Sequence, residues 1–296
     1  MRNNGVEIDL NYRPITTKDI TWEIFANLTL PNNKVLKIAD KLKDENGNWN
    51  YSSTRVIREG ESLYNLYLVS YAGVEQNPED KNCGLALYWE YTPDIDADGK
   101  PVLDKDGNQM YSEKTTPNNQ SAYNTTRKMT GNIMPKGYGG FGTSVKAYGV
   151  ALSVQFAFQF GGRIFDSSYQ SYMQPGADIG STWHKDILNA WTPENTNTDV
   201  PRTYVASQMS YASSTSDRFL ISSNYVSLNN ITLGYTFPAK WTKKLQISSL
   251  RIYGAAENVA LWSRRKGLDP RQSFISSSNS TYSPIRAISG GIRVEF

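Results

Sequence analysis

Apolar and polar residues alternate with a period of two along most of the readable chain. Val6, Ile8, Leu10 and Tyr12 share one phase, with Glu7, Asp9 and Asn11 between them. After a polar stretch from Pro14 to Lys18, Ile20, Trp22, Ile24, Ala26, Leu28 and Leu30 resume the pattern opposite Thr21, Glu23, Phe25, Asn27 and Thr29. The cleanest run sets Val150, Leu152, Val154, Phe156, Phe158 and Phe160 against Ala151, Ser153, Gln155, Ala157 and Gln159. Phe141, Thr143, Val145 and Ala147 precede it across Tyr148-Gly149, whose glycine suits a tight hairpin. Alternation held this long predicts strands with one apolar face. About seven strands are expected, near 5–12, 19–31, 136–148, 149–162, 218–237, 250–263 and 284–296. Val226 and Leu228 run out of phase with Ile231, Leu233 and Tyr235, which predicts a bulge near Asn229-Asn230.

Alternation does not say where the apolar face points. In a soluble β-sandwich it meets a second sheet, and in a transmembrane barrel it meets lipid. The connections separate the two. Short ones, 13–18, 148–149 and 238–249, alternate with long ones, 32–135, 163–217 and 264–283. All the long connections fall at one end of the strands, as in barrels with short periplasmic turns and long extracellular loops. Aromatic residues gather at both ends: Tyr12, Tyr148, Phe237 and Trp241 by the short turns, Phe160, Phe219, Tyr225 and Trp262 by the long loops. The expected fold is all-β, an antiparallel transmembrane β-barrel portion with long extracellular loops. A soluble surface glycan-binding β-sandwich is the alternative, and a β-rich glycosidase would need two facing carboxylates that sequence does not place.

Composition sharpens this. Nineteen Tyr and a mean hydropathy of −0.54 suit strands that are apolar at every second position, joined by polar loops. The net charge of +3 makes no electrostatic case for nucleic acid. One Cys (Cys83) and one His (His184) leave no disulfide framework and no metal or nucleophile–base constellation, so no enzyme is expected. No run of about 18 apolar residues forms a transmembrane helix, which leaves transmembrane strands untouched. No apolar secretory segment follows Met1.

A series of ordered motifs adds to this. It runs from Gly60-Glu61-Ser62-Leu63-Tyr64 and Tyr71-Ala72-Gly73-Val74 to Gly84-Leu85-Ala86-Leu87-Tyr88. Tyr138-Gly139-Gly140-Phe141-Gly142, Phe160-Gly161-Gly162, Trp183-His184-Lys185-Asp186 and Trp191-Thr192-Pro193-Glu194-Asn195-Thr196 follow. Then come Ser216-Asp217-Arg218-Phe219, Asn229 to Tyr235, Leu250-Arg251-Ile252-Tyr253, Glu257-Asn258-Val259, Gly267-Leu268-Asp269-Pro270 and Tyr282 to Arg286. In this order they resemble the C-terminal part of the SusC/RagA family of TonB-linked outer-membrane transporters. The resemblance implies about seven C-terminal strands of a larger plugged barrel of about 22. It also implies a SusD-like lipoprotein lid, TonB as energy source acting through N-terminal regions, and import of oligosaccharides or peptides in the cell outer membrane. Outer-membrane assembly machinery, lipid and lipopolysaccharide are the other expected partners. The plug and N-terminal regions are not in this stretch, so Met1 is expected to be an internal start and the piece alone is not expected to transport.

Candidate residues fall into four groups. Tyr169, Tyr172, Trp183, His184, Trp191, Arg202 and Tyr211 in the second long loop suit contact with solute or lid, or packing within the loop itself. Glu7, Asp9, Glu23, Gln155, Gln159, Arg251, Glu257, Arg293 and Glu295 share the polar phase and are expected to line the lumen. Ile292, Val294 and Phe296 form a terminal alternation that resembles the C-terminal assembly signal of such barrels. Asp94, Asp96 and Asp98 open like a calcium loop, but Lys105 stands where the bidentate Glu belongs, so hairpin-tip turns are favoured over a weak surface calcium site and no cofactor is expected.

Overall fold

The computed structural model describes all residues except 46, 106, 108–109, 175–179, 204–213, 265–268 and 273–283. In chain order, β1 (Arg2–Thr16) and β2 (Ile20–Lys34) are followed by a first loop region. That region carries β3 (Trp49–Ser52), β4 (Arg55–Ile57), β5 (Asn65–Leu68), β6 (Tyr71–Val74), β7 (Ala86–Pro93), β8 (Tyr111–Thr116), α1 (Asn119–Thr126) and β9 (Lys128–Asn132). The hairpin β10 (Gly137–Ala147) and β11 (Val150–Phe160) comes next, then β12 (Arg163–Phe165), α2 (Ser167–Tyr172) and β13 (Leu220–Ser222). The chain closes with β14 (Tyr225–Thr236), α3 (Ala239–Thr242), β15 (Ser249–Ser263) and β16 (Ala287–Glu295).

Seven strands form one antiparallel sheet in the order β1-β2-β10-β11-β14-β15-β16. This is the wall. Its strands neighbour one another in the order in which they occur along the chain, as an up-and-down meander requires. The register carries the alternation across all seven. Tyr12, Ile24, Thr143, Val154, Ile231, Ala256 and Ile288 form one cross-strand row, all on one face. Asn11, Phe25, Gly142, Gln155, Asn230, Glu257 and Ala287 form the adjacent row on the other. The expected bulge is present: the β14–β15 register shifts between Leu228 and Asn230, which returns the apolar residues on both sides to one face. At the β10–β11 turn, Tyr148 and Gly149 both have positive φ (48° and 89°), the geometry of the two-residue turn whose twist matches a hairpin.

The wall departs from the sequence expectation at three places. β1 runs through Pro14 to Thr16, because Pro14 falls in the register shift between Tyr12 and Ile15, where no ladder donor is required. The expected strand 218–237 is two separate elements. Leu220–Ser222 pairs with Arg163–Phe165 away from the wall, and Tyr225 starts the wall strand. Phe219 is fully buried among loop residues, and Tyr225 lies in the polar-face row with Gln159 and Ser263, so neither belongs to an outward aromatic ring.

The molecule keeps its core outside the wall. Buried apolar clusters consist of Leu68, Phe165, Met173, Ile187, Ala190, Val200 and Phe219; of Val69, Ala86, Tyr88 and Ala122; and of Val35, Ile38 and Ile57. All of these belong to the long connections, 35–136 and 161–224, which build a cap at one end of the sheet. The apolar wall face, by contrast, leaves Val6, Ile8, Leu10, Leu233, Ile252, Ile288 and Ile292 exposed. Each such side chain forgoes part of the about 1.5–3 kcal/mol that full burial contributes. Among the described residues no second sheet covers this face, as a sandwich would require. No helix among the described residues is long and apolar enough to cross a membrane, a statement that does not concern strands.

Candidate functional site

The second loop folds around a short helix and a 3-10 turn. The Asp166 carboxylate caps α2 by accepting the Tyr169 N–H at 2.9 Å. Tyr169 then points inward. Its hydroxyl donates to Asp186 at 2.8 Å, and its ring meets His184 edge-on (centroids 4.8 Å) and Phe219 (6.1 Å). His184 Nδ1 accepts the Asp186 N–H at 3.2 Å and so caps the turn Lys185–Asn189. These three residues therefore hold the loop together. Trp191 and Arg202 do the same from the far side. Trp191 Nε1 donates to Gln76 Oε1 at 2.8 Å, and the Arg202 N–H donates to the Gly84 carbonyl at 2.9 Å, tying the second loop to the first. Gly84 has φ +82°, and a Cβ there would lie 2.7 Å from the Trp191 ring and 2.6 Å from the Arg202 stem, so both side chains pack directly on its backbone.

Tyr172 and Trp183 keep 45% and 42% of their surface exposed and present rings outward from the cap. Leu188 is 91% exposed, and the sequence does not distinguish it from its buried neighbour Ile187. Tyr211 lies outside the described residues. At the other candidate, the Asp96 carboxylate accepts the N–H groups of Asp98 (2.9 Å) and Lys100 (2.8 Å), an Asx turn, while Asp94 accepts the Ser112 hydroxyl at 2.5 Å. Among the described residues no group of three or more His, Cys, Asp or Glu is placed to hold a metal ion.

The register places Glu7, Asp9, Glu23, Gln155, Gln159, Arg251, Glu257, Arg293 and Glu295 all on the polar face of the wall. Two clefts open there and share Gln159 and Tyr225. The lower, about 460 Å³, lies over Phe25, Asn27, Tyr138, Gly140 and Gln155. The upper, about 1340 Å³, lies where the cap meets the strand ends and includes Lys136, Arg163 and Arg264. Neither cleft was legible in the sequence, since each is assembled from segments more than a hundred residues apart. At the opposite end, Ile292 and Val294 stand on the apolar face, paired with Ile252 and Leu250, and Phe296 is exposed beyond the strand.

A seven-stranded antiparallel meander, apolar on one face and polar on the other, with short turns at one end and folded loops at the other, is a portion of a transmembrane β-barrel wall. Comparison with known proteins places it among relatives. The chain is 26% identical over its whole length to TonB-dependent receptor P3 of Formosa agariphila, of which it spans 29%. It is 25% identical over 91% of its length to TonB-dependent receptor SusC of Bacteroides thetaiotaomicron, of which it spans 24%. The solved RagAB peptide transporter superposes on 99% of the chain with a TM-score of 0.75 at 24% identity, and the chain spans 29% of that structure. No family model matches the chain. The resemblance to SusC/RagA TonB-linked transporters read from the motifs is thus borne out, and the chain spans 24–29% of the length of these relatives. The relatives are named as receptors and transporters, not as enzymes.

Proposed function

We propose that the chain is the C-terminal part of the barrel of an outer-membrane TonB-dependent transporter that imports oligosaccharides or peptides with a SusD-like surface lipoprotein. One observation supports this most. The molecule packs its apolar cores in the loop cap and leaves the wall's apolar face bare, which suits a protein whose wall is solvated by lipid. The polar face then lines the solute path, with the nine alternating residues along it. The cap lies at the cell surface, where the exposed rings of Tyr172 and Trp183 meet solute or lid. TonB acts through parts of the whole protein beyond this stretch, and transport belongs to that whole. Fractionation of cells expressing the full-length protein tests the assignment. It is expected with outer membranes, extractable only by detergent; recovery as a monodisperse soluble protein would overturn it.

A further inference from the structure

Among the described residues the upper cleft is lined by three cations, Lys136, Arg163 and Arg264, and by no Asp or Glu. Several of its neutral polar side chains are committed to the frame. Gln159 Nε2 donates to the Ser223 hydroxyl at 2.9 Å, and Asn224 Oδ1 accepts the Gly161 N–H at 2.8 Å. Asn132 Nδ2 donates to Asn65 Oδ1 at 3.0 Å, while Asn132 Oδ1 accepts the Met134 N–H at 2.7 Å. The cations are different. All three are exposed to the cleft, and none is ion-paired among the described residues.

Two of the stems are seated. Arg163 lies across Gly131, where a Cβ would stand 2.7 Å from its Cγ. Lys136 lies across Gly161, where a Cβ would stand 2.5 Å from its Cγ. Each glycine lets the stem lie flat on the backbone, so the charged head is held over the cleft at a reduced entropy cost. Like charges gathered in one concavity repel, and an anion between them relieves that repulsion while engaging the guanidinium forks. The cleft opens on the same face as the lower one, over the ring of Tyr225, which both share.

We infer that this cleft selects carboxylate-bearing solute, an acidic oligosaccharide or acidic peptide, as it enters beneath the cap. The inference rests on the transport assignment for its cargo, but the site is testable by binding alone. Equilibrium binding is measured on the full-length protein in detergent, with four probes: tetraglutamate and tetraglutamine peptides, tetragalacturonate and its neutral galactose counterpart. Wild type is expected to bind at least one acidic probe about tenfold tighter than its neutral partner, the scale of one or two charge-assisted contacts. That preference shrinks as salt shortens the range of the exposed charges. Which acidic probe is preferred identifies the source of the carboxylate.

Arg163→Gln with Arg264→Gln is expected to abolish the preference, bringing acidic-probe affinity down to that of the neutral partner, and Arg163→Lys to retain much of it. Should the double variant fail to insert, Arg264→Gln alone, at the exposed strand end, is expected to lower the preference severalfold. Equal binding of acidic and neutral probes by wild type, no binding of either acidic probe, or an undiminished preference in the variants overturns the site. Cells whose protein binds the acidic probe but does not import it would overturn the transport assignment and leave the site standing.

Discussion

The backbone N–H of Tyr71 donates to the Asp217 carboxylate at 2.8 Å, across 146 residues of sequence. The Asp217 N–H in turn donates to the Val69 carbonyl at 2.9 Å, so a single residue of the second loop stitches into the first. The cap is therefore one folded body and not two independent loops.

Burial raises the Asp217 carboxyl above its ordinary range, an effect that the Tyr71 N–H offsets in part. A raised folded-state value means its stabilising contribution is fully present below the unfolded value and is lost as pH rises through the folded one. Asp217→Asn removes the charge and keeps an oxygen for Tyr71. It is expected to match or exceed wild type in protease resistance of the cap at neutral pH, with a flatter pH dependence. Asp217→Ala leaves the Tyr71 N–H unpaired and is expected to lose about 1–3 kcal/mol of cap stability. Limited proteolysis of the full-length protein across pH checks both.

Gly84 tests the second seam. A side chain there meets positive φ, the Trp191 ring and the Arg202 stem at once. Gly84→Ala is expected to destabilise the loop junction by about 1–3 kcal/mol through strain and overpacking. The readout is faster tryptic cleavage at Arg202, with insertion of the barrel unchanged.

The loop rings divide by what they touch. Tyr169→Phe removes the 2.8 Å bond to Asp186 and is expected to loosen the cap by about 0.5–1.5 kcal/mol without a direct effect on ligand. Trp183→Ala and Tyr172→Ala are expected to leave cap stability intact and to weaken association with the proposed lipoprotein lid or solute. Cap melting and co-purification of the lid, measured side by side, separate the two outcomes.

At the other end, Ile292, Val294 and Phe296 remain exposed after the wall has formed. Deleting Val294 to Phe296 from the full-length protein is expected to abolish insertion. Normal heat-modifiable, membrane-embedded protein after that deletion would remove the assembly role.

The wall was legible because its signal is local: a period of two in Val150 to Phe160 needs no partner to be seen, and the slip at Asn229-Asn230 shows as a phase change. The cap was not, because its strands are three to eight residues long and its contacts are distant. Phe219-Leu220-Ile221 reads as the start of a wall strand, yet Ser223 and Asn224 break it. The Ser223 N–H donates to the Gly162 carbonyl and Asn224 caps Gly161, so the apolar residues before them turn into the cap. Nor does sequence distinguish Ile187, in the core, from Leu188, in solvent.

In the proposed barrel the face bearing Ile231 meets lipid and the face bearing Thr232 lines the interior. Nitroxide labels placed one at a time along 226–236 of the full-length protein in bilayers test it most directly. Accessibility to oxygen, which concentrates in lipid, is expected to alternate residue by residue against accessibility to a water-soluble nickel chelate. The phase is expected to slip once, at Asn229-Asn230. Uniform water accessibility along the strand, or oxygen maxima at Thr232 and Gly234, would contradict the account.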